Sequence, residues 1–285
     1  VAEPLFSTAV PARKPFIKWA GGKTRLLAKL LPYVPETIVN YHEPFLGGGA
    51  MYFALADRVS KVSYLSDLNE ELVNAWLAVS NHRDELEAAL EDYRIKDVAG
   101  GKDFYLSVRT MEPTGVVPRA ARFLYLNQTS WNGLWRVNRW GKFNVPWGNR
   151  PFRGLTRDQI DSVSLRLETA DIGMRDFRDA VTLAQPGDFV YLDPPYLPIS
   201  DTSKFYLYTE KRFRAPDLLE LAELCEDLSE RGVAWMMSNR DTPLVRELFA
   251  GHEIVSLTTR RSVAAQNKRD VEPSDSLEAI VIGRS

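Results

Sequence analysis

Asp193-Pro194-Pro195-Tyr196 sets a carboxylate, two prolines and an aromatic ring side by side, directly after the apolar run Phe189-Val190-Tyr191-Leu192. That run, bounded by Pro186-Gly187 and by the prolines, reads as a short buried strand. Proline fixes its own φ and restrains the residue before it, so Asp193 and Pro194 are predicted to be extended. The Asp193 carboxylate and the Pro194 carbonyl then make a rigid pair of acceptors beside the face of Tyr196. Such a set suits a planar heterocycle bearing an exocyclic amine. Taken alone, the four residues also fit a proline-stiffened turn with Asp193 as a turn residue and Tyr196 half buried, the lesser of the two readings.

A second loop changes the balance. Gly47-Gly48-Gly49 follows a strand-like stretch and precedes Ala50–Ala56, which reads as a helix. Glycines at a strand-to-helix turn permit positive φ and let a ligand approach the backbone. Their spacing is not the dinucleotide fingerprint G-x-G-x-x-G. The next strand candidate, Lys61–Ser66, ends in Asp67, where a carboxylate can accept hydrogen bonds from ribose hydroxyls. Gly22-Lys23-Thr24 imitates the end of a phosphate-binding loop, but Ile17 stands where that motif needs glycine. What remains at 15–24 is a backbone loop with Trp19 and Lys23 available to cover a cofactor. The loops together describe a nucleoside cofactor beside an amine substrate.

Five segments occur in an order that resembles the Dam-type (D12 class) adenine-N6 DNA methyltransferases. They are Phe-Ile-Lys-Trp-Ala-Gly-Gly-Lys, Glu-Pro-Phe-Leu-Gly-Gly-Gly, Ser-Asp-Leu-Asn, Asn-Gly-Leu-Trp-Arg-Val-Asn-Arg-Trp-Gly-Lys-Phe-Asn-Val-Pro and Asp-Pro-Pro-Tyr, spanning roughly residues 15–240. The resemblance implies S-adenosyl-methionine as cofactor, lined by Trp19, Gly21, Lys23, Phe45, Gly47, Asp67, Asp176, Phe177 and Asp193. It implies that Asp193, Pro194, Pro195 and Tyr196 hold the target adenine, and that Lys18, Trp131, Asn132, Arg136, Asn138, Arg139 and Lys142 meet duplex DNA. No metal is expected. A cognate restriction endonuclease would be a functional partner, and a prokaryotic or phage protein working in the cytoplasm at the nucleoid is expected. The likeness thins beyond about residue 255, and no role is carried over from there.

The elements that must position these residues alternate. Helices are predicted over 24–34, 50–56, 69–79, 156–163, 178–184 and 215–231, and strands before the Gly turn and near 61–66, 170–174, 188–192 and 232–238. Two late strands near 253–259 and 277–283 suit an antiparallel edge. This rhythm predicts an α/β fold with a doubly wound, mostly parallel, Rossmann-like sheet. The middle segment breaks the rhythm, helix-rich first and loop-like later, with Gly100-Gly101 and Pro113 as interruptions. Residues 1–79 and 158–285 therefore read as two parts of one methyltransferase domain, and 80–157 as an inserted target-recognition domain.

Composition agrees. Hydrophobic content of 45% and charged content of 26% are those of a globular protein, and a net charge of −2 argues against indiscriminate coating of nucleic acid. Charge is nonetheless uneven. From Arg119 to Arg157 there are eight basic residues and no Asp or Glu, interleaved with Trp131, Trp135, Trp140 and Trp147, whereas Asp84–Glu91 is acidic. The basic stretch can draw phosphates even on an acidic protein, or it can be a solvated face over packed tryptophans. Asn132-Gly133 favours a tight turn with Trp131 at its tip. The single cysteine, Cys225, excludes an internal disulfide and reads as a buried structural thiol in a reducing compartment. There is no apolar run of membrane length and no signal-peptide pattern. Other amine methyltransferases, acting on cytosine N4, RNA or a glutamine side chain, and a non-catalytic DNA-binding protein are the competing readings.

Overall fold

The computed structural model describes residues 13–197, 213–259 and 276–283; the start of the chain, where a signal peptide would stand, lies outside them. Seven strands form one sheet: β1 (Tyr41–Glu43), β2 (Ser63–Ser66), β3 (Ala170–Gly173), β4 (Phe189–Leu192), β5 (Ala234–Arg240), β6 (Glu253–Thr259) and β7 (Ser276–Gly283). Their order is β3-β2-β1-β4-β5-β7-β6. The first five run parallel, and β7 lies antiparallel between β5 and β6. The strand order reverses between β1 and β4, which is the switch point where open α/β sheets bind ligands.

Alternation along β4 explains the layering. Phe189 and Tyr191 join one buried cluster and Val190 and Leu192 the other, because successive side chains leave a strand on opposite faces. One face is covered by α1 (Leu27–Leu30), α2 (Ala50–Leu55), α3 (Glu70–Asn81), α4 (Arg83–Thr110), α5 (Val116–Thr129) and α6 (Arg157–Leu167). The other is covered by α7 (Phe177–Ala180), α8 (Ala215–Glu230) and α9 (Pro243–Leu248). Burial on both sides is why the strands read as apolar runs. Asp188 fixes the β1–β4 pairing from below, accepting from Asn40 N at 3.0 Å and Asn40 Nδ2 at 2.9 Å and meeting His42 Nε2 at 3.1 Å.

Helix boundaries follow local chemistry. Asn69 caps α3 by accepting from Leu72 N, and Thr156 and Gln159 form a reciprocal capping box on α6. The predicted helix over 24–34 is instead three short turns, since Pro32 lacks the donor a continuous helix needs. The helix expected at 178–184 is only the single turn of α7. Within α4 the predicted break falls at Gly101, with φ 48° and ψ −120°. Helices α4 and α5 share their buried cluster with α3 and α6, so residues 80–157 are continuous in packing with the sheet domain. The two late strands form the expected antiparallel edge, and Cys225 is fully buried in α8. No helix among the described residues is long and apolar enough to cross a membrane.

Candidate active site

Four strands end on the same edge of the sheet and each delivers a loop to it. Glu43 of β1 leads into Pro44–Gly49, Ser66 of β2 into Asp67, Gly173 of β3 into Asp176, and Leu192 of β4 into Asp193–Tyr196. These loops, with residues 19–23, line one cleft of about 1700 Å³. The Gly turn is tight: Gly47 and Gly49 have φ of 50° and 68°. A Cβ on Gly47 would lie 2.6 Å from the Trp19 ring, and one on Gly49 would lie 2.7 Å from the Trp76 ring. Only glycine fits at either place. Asp67 ties two loops together, accepting from Gly47 N at 3.0 Å and Asn69 N at 2.9 Å, and burial pushes its carboxyl pKa up. Phe45 stacks on Phe177 at 5.5 Å, and Phe213 meets both rings, giving the cleft an aromatic wall. Asp176 caps α7 through Arg178 N and pairs with the Arg178 guanidinium at 2.9 Å.

The carboxylate after β4 sits in a closed polar network. Lys23, only 5% exposed, places its ammonium 2.8 Å from Asp193 Oδ1 and 2.9 Å from Glu278 Oε1. It also donates to the Tyr196 hydroxyl at 2.8 Å and to the Gly21 carbonyl at 3.2 Å. The Tyr196 hydroxyl in turn donates to Glu278. Ser238 donates to Asp193 Oδ1 at 3.3 Å and is itself 2.6 Å from the Tyr191 hydroxyl. Arg240 donates to the Leu197 carbonyl at 3.1 Å, bracing the chain beyond the motif. Burial pushes the Asp193 carboxyl pKa up, and the Lys23 ammonium opposes that rise. Burial alone would lower Lys23, yet Asp193, Tyr191 and Glu278 together hold it above an ordinary lysine. Within the motif Pro194 is buried and Pro195 exposed. Among the described residues nothing donates to the Pro194 carbonyl.

Lys23, expected to line a cofactor, thus directs its ammonium at the Asp193 carboxylate. Trp19, Gly21, Phe45, Gly47, Asp67, Asp176, Phe177 and Asp193 all border the same cleft. Glu278, Ser238 and Arg240 join the site without having been predicted for it. Glu278 had a signal: it is the sole charge in the otherwise apolar run Leu277–Ile282.

The basic middle segment divides into two populations. Arg119 pairs with Glu70 and Glu71, Arg122 holds the Val108 and Arg109 carbonyls, and Arg157 pairs with Asp84, Glu87 and Asp161. Those arginines brace helices. The acidic stretch at 84–91 is in part their partner. Arg136, Arg139 and Lys142 belong instead to a hairpin turn at 136–144, within the predicted loop, closed by one antiparallel bridge between Val137 and Phe143. Asn138 N bonds Lys142 O, Asn144 N bonds Arg136 O, and Asn138 Oδ1 accepts from Trp140 N and Lys142 N to close the turn. Arg136 braces the hairpin through Asn144 at 2.7 Å. At the tip, Arg139 lies over the Trp140 ring at 4.1 Å, Trp140 is 66% exposed, and Lys142 pairs with Glu112. Trp131 is 42% exposed on its own tight turn, where Asn132 has φ 55° and Gly133 φ 67°. Asn127 joins that turn to the Lys18 backbone, accepting from Lys18 N at 3.0 Å and donating to Lys18 O at 2.7 Å. The Lys18 side chain is exposed.

Comparison with known proteins agrees with this geometry. A family model described as D12 class N6 adenine-specific DNA methyltransferase matches residues 19–263. The "Type II methyltransferase M1.LlaDCHI" of Lactococcus lactis subsp. cremoris is 35% identical over 263 residues, 89% of this chain and 90% of that one. "Type II methyltransferase M.MjaIII" of Methanocaldococcus jannaschii is 35% identical over 267 residues, 88% and 92% of the two chains. "DNA adenine methylase" of Escherichia coli K12 is 31% identical over 253 residues, 88% and 89%. With the seven-stranded sheet, the Gly turn after β1 and Asp-Pro-Pro-Tyr after β4, this places the chain in the D12 class of N6 adenine-specific DNA methyltransferases, enzymes that methylate adenine N6 in DNA.

Proposed function

We propose that this enzyme takes its methyl group from S-adenosyl-methionine and delivers it to an adenine turned out of a short, specific duplex sequence. The observation that carries this reading is that Asp193–Tyr196 and the Gly47–Gly49 turn flank the strand switch point and share one cleft. The residues suit the cofactor. The Phe45–Phe177–Phe213 wall offers aromatic faces to a purine, Asp67 an acceptor for hydroxyls, and the positive φ of Gly47 a close backbone approach. When bound, S-adenosyl-methionine supplies an electrophilic methyl on a sulfonium.

The chain's own residues hold the nucleophile. An adenine amine is weak because its lone pair is delocalised into the ring. Asp193 and the Pro194 carbonyl accept its two hydrogens, which favours a pyramidal nitrogen with its lone pair aimed for in-line displacement. No strong base is needed, since the methylated ammonium-like product is acidic. Positioning and prearranged charge do most of the work. Extruding the base costs a few kcal/mol, and stacking on Tyr196 returns about 1–3 kcal/mol.

Residues 80–157 present the DNA-reading surface in this proposal, with Lys18, Trp131, Asn132, Arg136, Asn138, Arg139 and Lys142 toward the duplex. Either exposed ring, Trp131 or Trp140, can fill the gap a flipped base leaves. The Type II names of two relatives support a working pair with a restriction endonuclease blocked at the same sequence, in a prokaryotic cytoplasm. The test is methyl transfer from labelled S-adenosyl-methionine to unmethylated DNA, with modified bases mapped by single-molecule sequencing. Methyl-adenine at one recurring short site supports the reading. Asp193→Ala should fold and bind DNA but transfer nothing, and full activity in that variant would overturn the assignment.

A further inference from the structure

Glu278 is 7% exposed on β7, and its Oε1 receives both the Lys23 ammonium at 2.9 Å and the Tyr196 hydroxyl. Its position in register opposite Arg240 puts it at the same sheet edge as Asp193. A buried carboxylate in an apolar strand is costly unless it is paired. Here its two partners are the lysine that holds Asp193 and the ring that follows the two prolines.

Tyr196 is thereby anchored at both ends. Its backbone follows Pro194-Pro195, and its hydroxyl accepts from Lys23 while giving its one proton to Glu278. The plane of the ring is set before any base arrives. The same arrangement divides the Lys23 ammonium between two carboxylates. Both bonds that reach Asp193, from Lys23 and from Ser238, land on Oδ1, so Oδ2 has no partner among the described residues and faces no competing donor there.

We infer that Glu278 is a positioning residue for methyl transfer: through Lys23 and the Tyr196 hydroxyl it sets the plane of the Tyr196 ring and the direction of the Asp193 carboxylate without touching the base. This rests on the reading of Asp193–Tyr196 as the adenine pocket. A group that acts only on orientation affects the chemical step more than ground-state binding.

The test is a double-mutant cycle on the full-length enzyme with Glu278→Gln, Tyr196→Phe and both together. Gln is near-isosteric and removes the charge, whereas Phe keeps the ring and removes the hydroxyl. Glu278→Gln should lower the single-turnover rate about tenfold or more, as expected for loss of a charge-assisted hydrogen bond. The KM for DNA and the cofactor Kd should stay within about twofold. In the Tyr196→Phe background the same change should cost clearly less than in the parent, because the hydroxyl, one of the two routes through which Glu278 acts, is already gone and only the route through Lys23 is left. An unchanged rate in Glu278→Gln, or two independent effects that multiply, would overturn the inference. If Glu278→Gln fails to fold, Tyr196→Phe alone must show the rate loss with KM retained, and a wild-type rate there is equally fatal. Asp193→Ala separates the two levels. Activity in that variant removes the adenine-pocket reading itself, while a dead Asp193→Ala beside a normal Glu278→Gln removes only the role of Glu278.

Discussion

At the Asp193 cluster Lys23, Asp193, Glu278 and Tyr196 are held by one another in a pocket largely withdrawn from water. At the tip of the 136–144 hairpin, Arg139, Trp140 and Lys142 stand in solvent, against a neighbouring ring and an exposed glutamate. The first region has its dipoles arranged before substrate arrives, so little reorganisation is left for the reaction. The second keeps its hydration, and in its proposed role phosphates would replace that water on binding. Changes in the first should therefore strike stability and turnover together, whereas changes in the second should strike DNA affinity alone.

The strongest way to break the contrast is Lys23→Met. Buried Glu278 and half-buried Asp193 would then face each other without a cation, and removing one partner of a buried pair costs about 3–5 kcal/mol. Calorimetry should show a clearly lower Tm, and methyl transfer should be lost. A wild-type Tm would mean that water already reaches the cluster.

Glu43, buried at the end of β1, sharpens the point through pH. Its carboxyl accepts from the Tyr41 hydroxyl at 2.8 Å and Tyr52 N at 3.1 Å, and burial pushes its pKa up from 4.5 to about 8. Between those two values the folded chain keeps a proton that the unfolded chain releases. Stability thus falls as pH rises through that window, by at most about 4 kcal/mol at pH 8. Glu43→Gln keeps an acceptor and never ionises. Urea unfolding should find it equal to the parent near pH 5 and more stable at pH 8. An advantage that does not grow with pH would mean Glu43 stays ionised in the folded enzyme.

Gly49→Ala should cost less, about 2–4 kcal/mol, from a left-handed backbone and a Cβ driven into the Trp76 ring. Since α2 starts there, cofactor affinity measured by titration calorimetry should fall with it. Stability loss with intact affinity would separate the Gly turn from the cofactor site.

These residues differ in how openly the sequence announces them. The apolar runs of β4 and β5, the Gly turn and the Asn69 cap act through neighbours a few positions away, so spacing alone exposes them. Lys23 meets Asp193 and Glu278 across 170 and more residues, and only strand order brings them together. Glu278 can be noticed as a stray charge in an apolar strand, but its partners cannot be named from spacing. For the same reason Arg119 and Arg157 resemble phosphate ligands until helix packing sets them against Glu70, Glu71, Asp84 and Glu87. The hairpin does have a local signal: Trp135, Val137, Phe143 and Val145 alternate with polar residues on both sides of Asn138–Gly141. Its density of tryptophan and charge hides that period of two.

That hairpin supplies the smallest predicted effect and the sharpest control. Arg139→Ala with Lys142→Ala removes two exposed cations and breaks no buried contact, so stability should stay within about 0.5 kcal/mol. Removing one cation from a phosphate should reduce the slope of log affinity against log salt by about 1. Fluorescence anisotropy on a methylatable duplex at several salt concentrations should therefore give a slope shallower by about 2, with single-turnover rate at saturating DNA unchanged. A slope left intact would show that the two cations never reach the backbone. A slower rate at saturation would show that the hairpin also shapes the pocket, and the division between a preset catalytic cluster and a solvated reading surface would fail at this point.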